Sequence, residues 1–154
     1  MNKGAPSPEL EVTVAVAADI DVVTARRQGR ILAEQLGFTA SEATLVATAI
    51  SELARNIVLY AGAGEIVVGR IDGGDRFGVM IIARDRGPGI TDIKLAINQG
   101  YSTSGGLGLG LPGVRRIMDE FEIESSRAGT VCAVSDGPWR SQATSSTVAP
   151  RSFR

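Results

Sequence analysis

The chain has 154 residues, 44% apolar and 21% charged, with 16 basic and 17 acidic side chains and a formal net charge of −1. That length suits one domain able to bury its own core without a disulfide or metal staple. It contains no histidine and one cysteine, Cys132, which excludes a Ser-His-Asp triad, a phosphohistidine on this chain and an internal disulfide, and disfavours zinc.

Residues 1–9 are rich in Pro, Gly and Ser and are read as a loose N-terminus. Glu11 to Val16 alternates as a strand does. From Asp19 to Leu36, Ile20, Val23, Arg27, Ile31, Leu32 and Leu36 recur at helical spacing, and Gly37 stops the helix. Thr39-Ala-Ser-Glu42 is a capping box opening a second helix, which is expected to run to Ala61 and stop at Gly62. Glu65 to Ile71 reads as a strand, Asp72-Gly-Gly-Asp75 as a hairpin turn, and Arg76 to Ala83 as a mostly apolar and therefore central strand. A short helical patch is expected near Asp92–Asn98, a helix over Leu109–Glu120, and a closing hairpin from Phe121–Ser126 and Thr130–Val134.

The elements divide the chain into an N-terminal segment 1–9, a domain 10–134 and a disordered tail 135–154, where Ser, Thr, Pro and Arg dominate. They do not alternate strictly as βαβ, so the expected fold is α+β, a two-layer sandwich with a mixed sheet packed on helices. The near-neutral charge gives no general field for nucleic acid. No apolar run approaches the roughly 18 residues that a membrane span needs. The opening MNKGAPSPEL lacks the apolar core of a signal peptide. No nucleic-acid or membrane partner is therefore expected, and the setting is cytoplasmic.

Glycine is the unusual entry in the composition. Eight of the 19 fall between Gly87 and Gly113, interleaved with Leu107, Leu109, Leu111 and Val114, which a flexible linker has no reason to carry. Gly is used where a backbone needs positive φ or must approach a ligand closely.

Three elements carry chemistry. In Ser51-Glu-Leu-Ala-Arg-Asn56, Glu52 and Asn56 lie about 40° apart on one helix face, at the edge of the stripe Val46, Ile50, Leu53 and Ile57. A carboxylate and an amide so placed can position a hydroxyl and complete a Mg²⁺ shell, or simply form a solvated helix edge. Asp85-Arg-Gly-Pro-Gly-Ile90 follows the apolar strand; its acid can accept from an exocyclic amine such as adenine's, or open an ordinary turn. Gly105-Gly-Leu-Gly-Leu-Gly-Leu-Pro-Gly113 feeds a helix carrying Arg115 and Arg116, which suits an anion site. Its G-x-G-x-x-G match fails as a dinucleotide fingerprint because no strand precedes it, and no Gly-Lys-Ser/Thr of a Walker loop follows.

In this order, and with Gly129-Thr130 after them, these motifs resemble the Bergerat-type ATP fold of the GHKL group, over Glu11 to Val134. The resemblance implies ATP and Mg²⁺ as cofactors. Asn56 resembles the metal ligand, Asp85 the reader of the adenine amine, and Gly87, Gly89 and Ile90 the turn beside the base. Ser104, Gly105, Gly106, Leu107, Gly108, Leu109 and Gly110 resemble the lid over the phosphates, and Thr130 the hydroxyl supporting adenine. Glu52 looks like the residue that orients or deprotonates the nucleophile, with Arg55 beside it.

The chain is too short for a gyrase transducer or chaperone client domains, and it lacks the histidine of a histidine kinase. Thr48 to Ile57, Leu59-Tyr-Ala-Gly62, Gly100 to Gly108, Gly110 to Arg116 and Met118-Asp-Glu-Phe121 are similar to the RsbT-type serine-protein kinases. That resemblance implies phosphorylation of a serine on a STAS-domain anti-sigma-factor antagonist held in a scaffold complex, and activation of a PPM-type phosphatase. The alternatives are an anti-sigma factor of the same fold and a nucleotide-sensing scaffold that transfers nothing. The tail beyond Val134 departs from that family's pattern, as a solvated extension or a docking segment.

Overall fold

The capping box at Thr39 forms as the sequence dictates. The Thr39 Oγ1 accepts from the Glu42 N–H at 3.2 Å, and the Thr39 N–H donates to the Glu42 carboxylate at 2.8 Å. It starts one helix of a fold seen in a computed structural model that describes residues 11–72, 77–89, 110–126 and 129–136. In chain order these form β1 (Glu11–Val16), α1 (Asp19–Gln35), α2 (Ala40–Asn56), a π-helical turn (Ile57–Ala61), β2 (Gly64–Asp72), β3 (Phe77–Asp85), α3 (Gly110–Ile117), β4 (Glu120–Ser126) and β5 (Gly129–Asp136).

The five strands make one sheet in the order β1-β2-β3-β5-β4. Every ladder among the described residues is antiparallel, where the sequence pattern predicts a mixed sheet. The reason is the number of passes between strands. A single crossover helix returns a chain parallel to its start, whereas β1 and β2 are separated by the antiparallel pair α1 and α2. β3 is central, as its apolar sequence predicts, flanked by β2 and β5.

The helices cover one sheet face. Val16, Ile66, Val68, Val79, Ile81 and Ala83 from the strands are buried against Leu32, Val46, Ile50, Leu53, Ile57, Leu111 and Val114 from the helical layer. The stripe Val46, Ile50, Leu53 and Ile57 faces this core as expected. In α1 the expected apolar stripe is only partly buried: Leu32 is in the core and Leu36 packs against it. Ile20, Val23 and Ile31 are exposed, and Val22, Ala25, Gly29, Leu32 and Ala33 are buried. Small residues at Ala25, Gly29 and Ala33 let α1 lie close on α2, and a methyl on Gly29 would run into the Ile50 side chain. Close helix approach, rather than side-chain bulk, selects the buried face.

α3 ends at Ile117 rather than Glu120, because Glu120 already pairs with Ser135 at the start of β4. β5 runs to Asp136, so Ser135 and Asp136 pair with Met80 and Val79 instead of beginning a tail. Of the expected turn Asp72–Asp75, Asp72 ends β2 opposite Phe77, and residues 73–75 lie outside the described residues, as do the helical patch at 92–98 and the remaining tail at 137–154.

Candidate functional site

The sheet register gathers three strand ends. Val16 at the end of β1 lies opposite Gly64 at the start of β2, and Gly64 lies opposite Asp85 at the end of β3. The end of α2 arrives at the same edge, because the π-helical turn that continues it leads within three residues into Gly64. Glu52, Arg55 and Asn56 on α2 and Asp85 on β3 are therefore delivered to one end of the domain by separate rigid elements.

Glu52 is 6% exposed, unlike a solvated helix edge. Its two oxygens have different partners: Oε1 lies 3.8 Å from an Arg55 guanidinium nitrogen, and Oε2 accepts the Gly110 N–H at 3.2 Å. Arg55 keeps 37% of its side chain exposed, so it bridges the buried carboxylate and the solvent side. Asn56, one turn beyond Glu52, is half-buried and does not cap the turn that follows it.

Asp85 is half-buried, and its Oδ1 accepts the Gly87 N–H at 2.9 Å. This bond within a three-residue turn fixes the carboxylate relative to its own backbone. The turn has no room for a side chain at Gly87 or Gly89. A Cβ on Gly87 would stand 2.6 Å from the Ala61 Cβ and 2.7 Å from its Cα. Gly89, at φ +82°, lies against the Ser126 carbonyl. Gly129, at φ +137°, lies against the Asp85 carbonyl.

Glu52, Arg55, Asn56, Asp85, Gly87 and Gly89 thus lie on elements that meet at one end of the sheet, and Gly110 joins them through its bond to Glu52. Thr130 sits opposite Ser125 in the β4–β5 hairpin, one position beyond the Arg84–Val131 pair. Ile90 and Ser104, Gly105, Gly106, Leu107, Gly108 and Leu109 lie outside the described residues. Sequence reasoning missed two features. Residues 57–61 read as ordinary helix, whereas they form a π-helical turn, a departure often found at functional sites. Gly64 and Ala61, which press on the Arg84 carbonyl and on Gly87, also escape it. The signal present is the run of small residues Ala61-Gly-Ala-Gly64.

The donor set fits a nucleotide with its cation. Glu52, Asn56 and Asp85 offer hard oxygens, the ligands that Mg²⁺ prefers. Among the described residues no group of three or more His, Cys, Asp or Glu side chains could cage a metal. A Mg²⁺ ion held by one protein oxygen and completed by phosphates is the arrangement such a set permits. No helix among the described residues is long and apolar enough to cross a membrane.

Comparison with known proteins places the fold in a family. Residues 41–141 match the family described as histidine kinase-, DNA gyrase B-, and HSP90-like ATPases. The chain is 51% identical over 112 residues to the serine/threonine-protein kinase RsbT of Bacillus subtilis (strain 168), a match that spans 73% of this chain and 84% of that relative. Among solved structures, the RsbU and RsbW domains of a Mycobacterium tuberculosis protein superpose with a TM-score of 0.59 at 24% identity, over 86% of this chain and 33% of that one. This last likeness concerns the fold.

Proposed function

Because the chain belongs to the histidine kinase-, DNA gyrase B- and HSP90-like ATPase family, within its RsbT-type serine/threonine-protein kinases, we propose that it phosphorylates a serine of a STAS-domain anti-sigma-factor antagonist. Its setting is a cytoplasmic partner-switching module, and it also binds and activates a PPM-type phosphatase. The observation that carries this reading is the buried Glu52 carboxylate one turn before Asn56 on α2, whose π-helical continuation leads into Gly64 opposite Asp85.

Asp85 accepts the adenine amine, with the Gly87–Gly89 turn under the base and Thr130 supporting it. Ile90 and the segment from Ser104 to Gly110 complete the nucleotide contacts. Asn56 would hold Mg²⁺, which when bound neutralises charge on the phosphates. Glu52 orients the incoming serine hydroxyl and accepts its proton as the serine oxygen bonds to the γ-phosphorus. The bond from that phosphorus to the β–γ bridging oxygen breaks, and ADP leaves. General-base help of this kind is worth about 10²–10⁴-fold. Arg55 holds the carboxylate from the solvent side and stabilises its charge until the hydroxyl arrives.

Two assays test the assignment. The chain is incubated with γ-labelled ATP and a STAS-domain protein, as wild type and as Glu52→Gln and Asp85→Asn. Glu52→Gln should cut label on the partner by about 10²-fold or more with nucleotide binding retained, and Asp85→Asn should weaken nucleotide binding itself. Full transfer by Glu52→Gln would remove Glu52 from its role. A pull-down that recovers a sigma factor, with neither a STAS protein nor a phosphatase, would replace the kinase reading with that of an anti-sigma factor.

A further inference from the structure

α3 has eight residues, too few to be stable by its own hydrogen bonds, since isolated helices shorter than about 12 are marginal in water. Its first turn also carries no acidic side chain of its own to accept from the free N–H groups there. The residue preceding Gly110 is Leu109, whose side chain offers no acceptor. The acceptor comes from another helix: the Glu52 Oε2 on α2 takes the Gly110 N–H at 3.2 Å. The carboxylate is nine-tenths buried, 58 residues away in sequence, and stands at the positive end of α3. Beside it, Leu111, Gly113 and Val114 bury the other side of the same turn.

We propose that Glu52 is the N-terminal cap of α3, supplied by α2, so that the residue directing the acceptor hydroxyl also fixes where the glycine-rich segment ends. A charge-assisted bond of this type is stronger than a neutral one and is directional. It ties the start of α3 to the base, so the position of one sets the position of the other. The capping role stands on the hydrogen bond and the burial alone; the link to phosphoryl transfer rests on the function proposed above. One consequence is that an alanine at this position removes two functions at once.

The experiment uses the full chain and measures amide hydrogen exchange over residues 110–117, together with label transfer from γ-labelled ATP. Glu52→Gln keeps a side-chain oxygen at the same reach and should leave exchange within about threefold of wild type while transfer falls. Glu52→Asp keeps the charge but is one methylene too short to reach Gly110, and should speed exchange about tenfold. Glu52→Ala should do the same or more. The order wild type, then Glu52→Gln, then Glu52→Asp and Glu52→Ala is the expected result. Exchange in Glu52→Asp and in folded Glu52→Ala indistinguishable from wild type would overturn the cap. Unimpaired transfer by Glu52→Gln would instead remove the base and leave the cap standing, so the two failures are separable.

Discussion

Replacing Gly87 with alanine probes how rigidly the turn beside Asp85 is seated. The new methyl would meet the Ala61 Cβ at 2.6 Å and its Cα at 2.7 Å, each about 1 Å inside ordinary carbon–carbon separation. One of these atoms is backbone and the other is bonded to it, so rotating a side chain cannot relieve the overlap; the π-helical turn or the Asp85 turn must move. Overpacking costs about 1–3 kcal/mol, and an unyielding neighbour puts this case in the upper half, about 2–3 kcal/mol. At about 2–4 °C per kcal/mol for a chain of this size, the melting temperature should fall by about 4–12 °C. Because the Gly87 N–H also holds the Asp85 carboxylate, affinity for an ATP analogue should drop about tenfold, equivalent to about 1.4 kcal/mol. Calorimetric melting and titration with the analogue measure both. The double variant with Ala61→Gly should recover only part of the loss, since the overlap with the main-chain carbon of residue 61, at 2.7 Å, persists. A Gly87→Ala protein that melts and binds as wild type would refute the idea of a fixed seat.

Three further outcomes follow from the same structure. Thr39→Ala removes the side-chain half of the α2 capping box and should cost about 1 kcal/mol in urea unfolding, with nucleotide affinity unchanged. Ile50→Ala, at a fully buried position between α1 and the sheet, should cost about 2–5 kcal/mol, the largest of the set. Glu34→Ala breaks the exposed Arg30–Glu34 pair, whose side chains are 52% and 49% accessible at 3.2 Å, and should change stability by less than about 0.5 kcal/mol. A larger effect from Glu34 than from Thr39 would invert this ranking.

Much of this architecture is legible in local patterns. β1 begins and ends where its alternation does, and α2 starts at the capping box, because short-range chemistry decides both. Glu52 and Asn56 stand out from one helical turn of spacing, and Asp85 from its place after an apolar strand. What escapes is decided by distant partners. The buried face of α1 depends on what a neighbouring helix needs, so Ala25, Gly29 and Ala33 win over Ile20, Val23 and Ile31. The antiparallel ladders follow from α1 and α2 forming a pair. The partner of Glu52 lies 58 residues away, and nothing in the spacing around either residue announces it. The π-helical turn at Ile57–Ala61 has a sequence that an ordinary helix would also accept.

The glycines around Asp85 carry an implication for redesign. Gly64 is jammed against the Arg84 carbonyl on one flank, and Gly129 against the Asp85 carbonyl on the other. The stalk bearing the carboxylate is therefore gripped from both sides by main chain, and its head group is tied to the Gly87 N–H. An engineer could exchange that head for asparagine, serine or glutamate to recognise a different heterocycle and expect the scaffold beneath to stay where it is. The same grip makes the two flanking glycines poor choices for any library aimed at altered nucleotide preference.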